Sequence, residues 1–166
     1  ADEDDRYLAN LVVRESDRLS RLLSEFLDFA RVRATEFMPV DLQAVVLAAA
    51  RLIREHPDCR PDIRIRVEGN RTVIDGDEDL LHRVVANLLL NAVQAVEPGG
   101  EIQVVARRIA PGEACLEVRD NGSGVAPEHR ADIFKPYFTT HQKGTGLGLA
   151  VVQQIVLAHG WEVDCH

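Results

Sequence analysis

The first part of the chain carries an amphipathic pattern without glycine or proline, which predicts a long helix from about Tyr7 to Arg33. Its apolar positions follow a heptad-like seam: Val12, Ser16, Leu19, Leu23, Phe26 and Ala30. Charged residues lie on the other face: Arg14, Asp17, Arg18, Arg21, Glu25, Asp28 and Arg31. Because the apolar stripe is too wide for a lone surface helix, it favours packing against partner helices, from the same fold or from a second chain. Pro39 marks a natural boundary after this helix.

The next stretch predicts one helix and two short strands. Asp41 suits the N-cap of a helix whose apolar positions recur at helical spacing until the segment 57–61, which contains two prolines. Alternation then predicts a half-buried strand over 63–68, and 69–70 predicts a turn. A second short strand is predicted over 72–75.

The helix predicted from about Leu80 to Val96 is almost wholly apolar, and Asp77 suits its N-cap. Asn87 and Asn91 stand four residues apart and therefore share one face. A buried amide is costly unless it is hydrogen-bonded, so each could simply bond to the backbone. Two amides on one face indicate the wall of a polar cleft instead.

Two further strands, over 101–109 and 115–119, predict a hairpin that is followed by the loop 120–124. An Asp-Asn-Gly turn is ordinary turn chemistry, so this loop alone is weak evidence for a site. Pro127 predicts the start of a short helix that runs through Ile133, and an aromatic and polar patch follows over 134–140.

A glycine-rich loop at 143–149 leads into a helix predicted over 147–159. Backbone N–H groups and the dipole at a helix N-terminus favour phosphate, although such loops are also common tight connections. Gly160 ends the helix, and 161–165 predicts the beginning of a last strand. The order of elements predicts an α+β fold, a two-layer sandwich with helices on one face of a mixed sheet, preceded by the long bundle-forming helix. It is not the βαβ alternation of a dinucleotide-binding fold, and the P-loop pattern GxxxxGK[ST] is absent.

Composition narrows the function classes. The 166 residues contain 46% hydrophobic and 28% charged residues, which is typical of a globular protein with a real core. A net charge of −8 argues against a general binder of nucleic acid or of anionic membranes. Three widely spaced cysteines indicate reduced thiols in a cytoplasmic setting. No apolar run approaches the length of a membrane span, although the parent protein could be membrane-anchored.

Four blocks in one order carry a resemblance: NLLLNAVQAV (87–96), DNGSGV (120–125), IFKPYFTT (133–140) and KGTGLGL (143–149). Together they resemble the N, first glycine, F and second glycine boxes of sensor histidine kinases, in the wider family shared with gyrase, Hsp90 and mismatch-repair ATPases. RESDRLSRLLSEFLDFAR (14–31) resembles the second helix of the dimerisation and phosphoacceptor hairpin of those kinases. NAVQA and PYFTT are most similar to the nitrogen-regulation subclass.

The resemblance implies a Mg²⁺ ion and ATP as ligands. Asn91 would hold the Mg²⁺ that bridges the phosphates, and Asn87 would line the same wall, so both would serve catalysis. Asp120 would accept a hydrogen bond from the adenine amino group. Gly122 and Gly124 would let the backbone approach the purine.

The second glycine box implies a hinged lid whose helix N-terminus meets the phosphates. Its residues are Lys143, Gly144, Thr145, Gly146, Leu147 and Gly148. Lys143 is a candidate phosphate contact, but a solvated lid lysine is an equal alternative. Phe134 and Phe138 are expected to pack the lid base rather than contact nucleotide.

Asn87 also bears on the reaction. In ATPases of the wider family a glutamate stands at this position and activates water, whereas an amide cannot act as a base. The resemblance therefore implies slow hydrolysis and suits a phosphotransferase, in which positioning and Mg²⁺ supply most of the catalysis and a histidine is the nucleophile.

None of the six histidines precedes Tyr7, where the family's acceptor histidine would belong. His82 and His141 are expected to be surface or packing residues. The chain is therefore expected to divide into 1–36, the second hairpin helix without the first, and 37–166, an ATP-binding catalytic domain whose C-terminal strands are truncated.

The partners implied are ATP, an acceptor-histidine helix, a response-regulator receiver domain and, in the full protein, a second copy. No nucleic acid and no membrane contact by this segment are expected. Two alternatives remain: a non-catalytic ATP-sensing and dimerisation module, disfavoured by the intact boxes but kept open by the missing acceptor, and a water-using ATPase, disfavoured by Asn87.

Overall fold

The computed structural model describes residues 2–33, 36–140 and 144–166. Four α-helices form within them: α1 (Asp2–Ala30), α2 (Leu42–Arg54), α3 (Glu78–Ala95) and α4 (Gly148–Ala158). Five strands accompany them: β1 (Met38–Asp41), β2 (Arg64–Gly69), β3 (Val73–Gly76), β4 (Glu101–Ala110) and β5 (Glu113–Asp120). This is the mixed sheet with helices that the sequence predicts, so the predicted fold class is confirmed.

The larger sheet has the order β2-β4-β5, with β2 parallel and β5 antiparallel to β4. The buried positions of β4 alternate, as expected for a strand with one face on a core. These positions are Ile102, Val104 and Ala106, and they pack in the same cluster as the apolar faces of α2 and α3.

A second, two-stranded sheet was not predicted. β1 pairs antiparallel with β3, and Pro39 lies within β1 rather than in a simple boundary. A strand of four residues that includes a proline is too short to register as an alternating pattern, and its partner lies more than 30 residues away in sequence. β2 and β3, although they are adjacent in sequence, therefore belong to different sheets.

A second apolar cluster holds the two helices that carry the candidate blocks. Leu80 and Val84 of α3 pack with Val152 and Ile155 of α4. Phe29 near the end of α1 and Val32 beyond it pack against this cluster, so α1 is attached at its C-terminal end. Most of the α1 seam is instead solvent-exposed, including Val12, Leu19, Leu23 and Phe26.

Two predictions about minor elements are wrong. The segment predicted as a helix from Pro127 through Ile133 has one 3₁₀ turn, Pro127–His129, followed by further turns. The segment 161–166 forms no strand, because no backbone ladder joins it to a neighbour in the described chain. Periodicity over so few residues cannot distinguish a strand from an extended tail, since pairing depends on the partner.

None of the helices, over the residues described, is both long and apolar enough to cross a bilayer.

Candidate nucleotide site

α3 presents the two candidate asparagines one turn apart. The helix begins at an N-cap, Asp77, whose side chain accepts a hydrogen bond from Leu80 N at 3.1 Å. Asn87 is half-buried, and its Nδ2 donates to the Arg83 carbonyl at 2.9 Å, so its Oδ1 remains available. Asn91 is exposed, and its amide makes no hydrogen bond within the described residues. The amide of Asn87 is therefore bonded to the backbone through its nitrogen only, and its oxygen can still contact a ligand.

The start of α4 lies against Asn87. A Cβ placed on Gly148 would stand 3.3 Å from Asn87 Oδ1, so the glycine permits close contact between the two helices. Leu147, the residue before it, is almost fully buried. The N box and the second glycine box, which are far apart in sequence, therefore meet at this point.

The loop after β5 is attached to the other end of α3. Asp120 Oδ1 accepts a hydrogen bond from Gly122 N at 2.9 Å, which closes a tight turn. A Cβ on Gly122 would lie 2.4 Å from the carbonyl oxygen of Ala95, the last residue of α3, so only glycine fits there. The second carboxylate oxygen of Asp120 makes no hydrogen bond to the described residues, and Gly124 is exposed.

The backbone of the F-box segment contacts the glycine loop. Tyr137 N donates to the Gly146 carbonyl at 2.9 Å. Gly146 has φ +70°, and a Cβ on it would lie 2.5 Å from the Tyr137 carbonyl carbon. Phe134 is buried and Phe138 is half-buried with its ring 5.3 Å from that of His129, which suits packing residues.

One contact at this loop was missed by sequence reasoning. The Thr145 hydroxyl donates to the carboxylate of Glu25 on α1, and Leu147 N donates to the same hydroxyl oxygen at 3.4 Å. Glu25 looked like one of several charges on the solvated face of a helix. Nothing in the pattern separated it from its neighbours, because the contact joins residues 120 positions apart.

The remaining candidates are placed as follows. Gly144 is exposed at the start of the described part of the loop. Lys143 and His141 lie outside the described residues. His82 is half-buried and pairs with Glu78 at 4.0 Å, as expected for a surface residue. No group of three or more His, Cys, Asp or Glu side chains that could hold a metal ion occurs in the described chain.

Two ionisable groups near the loop 120–124 have shifted pKa values. Partial burial raises the pKa of the Cys165 thiol, and a hydrogen bond from Arg119 lowers the pKa of Glu117. Burial also raises the pKa of the Cys59 thiol. Cys59, Cys115 and Cys165 are free thiols.

Comparisons with known proteins identify the class. Residues 76–166 match the family model described as histidine kinase-, DNA gyrase B-, and HSP90-like ATPase. The sensor histidine kinase ZraS of Escherichia coli O157:H7 is 40% identical over 159 residues, which cover 95% of this chain and 34% of ZraS. The chain thus spans about one third of the length of that curated relative.

Solved structures of histidine kinases are also similar to this chain. ShkA in complex with AMPPNP matches with a TM-score of 0.76 and 32% identity, over 93% of this chain and 35% of that one. The histidine kinase ThkA, in complex with the response regulator protein TrrA, matches with a TM-score of 0.70 and 25% identity, over 88% of this chain and 42% of that one.

The chain belongs to the histidine kinase-, DNA gyrase B- and HSP90-like ATPase family. Within that family it is the catalytic, ATP-binding type of domain found in sensor histidine kinases. The resemblance carried by the four blocks is confirmed, whereas the nitrogen-regulation subclass stays a prediction.

Proposed function

We propose that this chain binds Mg²⁺-ATP between α3, the loop 120–124 and the loop 144–148, and transfers the γ-phosphoryl group to a histidine on a hairpin helix outside this sequence. The phosphoryl group would then pass to an aspartate of a response-regulator receiver domain. The observation that carries the proposal is the meeting of Gly148 with Asn87 Oδ1, since it brings the two blocks with phosphate and metal chemistry to one wall.

The adenine end of the site is assigned to Asp120. Its Oδ1 is used by Gly122 N, which fixes the carboxylate, and its other oxygen can accept a hydrogen bond from the exocyclic amino group of adenine. Gly122 lies against Ala95, so the loop that meets the purine is held to the helix that carries the asparagines. Gly124 would allow the backbone to approach the base.

The phosphate end is assigned to Asn87, Asn91 and the N-terminus of α4. The Asn91 amide, which has no partner among the described residues, offers a neutral oxygen of the kind that Mg²⁺ accepts while the ion keeps several waters. Mg²⁺ bound there would neutralise charge on the β- and γ-phosphates. N–H groups at the start of α4, with the backbone of Gly144, Gly146 and Leu147, would hold the phosphate oxygens, and Lys143 is a further candidate contact.

The chain divides into two parts with different proposed roles. We propose that residues 1–36 are the second helix of a dimerisation and phosphoacceptor hairpin, whose exposed seam would pack with the acceptor helix and with a second copy. Residues 37–166 are the catalytic domain. ThkA was solved with a response regulator and ShkA with AMPPNP, an ATP analogue, which supports these partners for the present chain. A cytoplasmic location would suit both partners.

Two other functions can be distinguished from the proposed phosphotransfer by experiment. A water-using ATPase needs a general base, and the Asn87 amide cannot take a proton. Rapid release of phosphate without an acceptor would favour it. A non-catalytic ATP-sensing module would bind ATP and never transfer phosphate to an added acceptor.

The adenine assignment is tested by isothermal titration calorimetry with Asp120→Asn. Asparagine keeps a carbonyl oxygen for Gly122 N but replaces the free acceptor oxygen with a donor, which opposes the adenine amino group. A hydrogen bond to a charged group is worth about 1.5–3 kcal/mol, so ATP affinity should fall about tenfold or more.

Glu113→Gln is the matched control, because Glu113 is exposed at the opposite end of the same strand. It should leave ATP affinity unchanged. Equal affinity of Asp120→Asn and the unaltered chain would refute the adenine assignment.

A further inference from the structure

The hydroxyl of Thr145 links the glycine loop to the long N-terminal helix. It donates to the Glu25 carboxylate and accepts from Leu147 N. Glu25 and Thr145 are both half-buried, whereas Glu15, one of the other glutamates of α1, has a side chain that is 56% exposed. The apolar contacts of Phe29 and Val32 with the α3 and α4 cluster hold this end of α1 beside the loop.

The chain of hydrogen bonds ends at the N-terminus of α4. Leu147 is the N-cap residue of α4, its side chain cannot cap the helix, and the first turn of α4 contains no acidic residue. A helix N-terminus favours a negative group, because its first N–H groups lack partners within the helix and the dipole is positive there. Glu25, acting through Thr145, supplies that negative group from another part of the chain.

We propose that Glu25 competes with the nucleotide phosphates for the glycine loop, so that α1 restrains the loop until a triphosphate displaces the carboxylate. The inference rests on the proposed function, since it assigns the same loop to ATP. A carboxylate and a γ-phosphate near one helix N-terminus repel each other, and the loop can serve one of them at a time. Movement of α1 would therefore change the affinity for ATP.

The size of the effect follows from the competition. If the loop accepts phosphate only when it is released from Glu25, the apparent affinity is reduced by the fraction of molecules with the loop released. A partly exposed hydrogen bond to a carboxylate is a modest interaction, so its removal should tighten ATP binding about three- to tenfold. Adenosine has no phosphate and should be unaffected, because the adenine end lies at the loop 120–124.

The test uses the 166-residue chain and calorimetric titration with Mg²⁺-ATP and, separately, with adenosine. Glu25→Gln removes the charge while it keeps the shape, and Glu25→Ala also removes the hydrogen bond. Both variants should bind ATP about three- to tenfold more tightly and adenosine as before. Glu15→Gln, on the same helix, should match the unaltered chain for both ligands.

Two results would overturn the inference alone. Unchanged ATP affinity in both Glu25 variants would show that the carboxylate does not compete, and an equal shift for ATP and adenosine would show a general change of the domain. Failure of the unaltered chain to bind ATP at all would overturn the proposed function and this inference with it.

Discussion

At the scale of single residues, close approaches of backbone define the candidate site. Gly122 lies against the end of α3, Gly146 against the Tyr137 backbone and Gly148 against Asn87. The sequence alone predicts that these glycines belong to loops or to the start of a helix, and the resemblance assigns them to a nucleotide. Neither could predict which atoms they contact, because those atoms belong to other segments of the chain. Glu25 escaped prediction for the same reason.

Gly146→Ala tests the close packing of the loop. A Cβ at this position would collide with the Tyr137 carbonyl carbon, and φ is +70°. Strain of this kind costs about 1–3 kcal/mol, so the variant should bind ATP more weakly and unfold at lower urea concentration.

Gly112→Ala is the control for backbone strain alone. Gly112 has φ +80°, and a Cβ added there would meet no atom of the described chain within 4 Å. This variant should lose some stability but no ATP affinity. If Gly146→Ala leaves ATP affinity unchanged, the loop does not require the geometry described above.

At the scale of elements, His159 joins the two helices that bear the site. It lies just after α4 and is buried, with Nε2 accepting from Asp77 N at 3.0 Å and Nδ1 2.7 Å from the Ile155 carbonyl oxygen. Its ring stacks on Trp161 and meets Phe37 edge-on. The end of α4 is thereby tied to the N-cap of α3 and to the segment that follows α1.

His159→Leu should therefore destabilise the fold. Leucine fills a similar space but removes the hydrogen bond from Asp77 N, and the loss of such a bond costs about 0.5–1.5 kcal/mol. Urea denaturation should show a lower midpoint with an unchanged slope. His82→Gln, on the outer side of α3, should change stability by less than about 0.5 kcal/mol. Equal stability of the two variants would contradict the assigned role of His159.

Prediction of the elements succeeded where the hydrophobic pattern is regular. α1, α2, β2, β3, α3, the β4–β5 hairpin and α4 were all predicted within a few residues of their observed bounds. β1 was missed, and the helix over 127–133 and the strand over 161–165 were wrong. Short segments adopt the structure that their neighbours impose, and neighbours remote in sequence leave no local pattern.

At the scale of the whole molecule, the chain combines a long amphipathic helix, whose apolar seam is mostly exposed, with a catalytic, ATP-binding type of domain. The charge of −8 argues against a general nucleic-acid surface, so the implied partners are one nucleotide and other protein segments. Through Glu25, α1 contacts the loop assigned to phosphate. Taken together, these elements suit the proposed transfer of phosphate from ATP to a histidine.

That transfer can be measured by mixing the chain with radiolabelled ATP, Mg²⁺ and the separately produced acceptor hairpin of a sensor histidine kinase, and following the label. We expect acid-labile label on the hairpin, dependent on Mg²⁺ and lost when the acceptor histidine is replaced by glutamine. We also expect little free phosphate when the hairpin is omitted. An unlabelled hairpin in the presence of a chain that binds ATP, or rapid phosphate release without any hairpin, would contradict the proposed transfer.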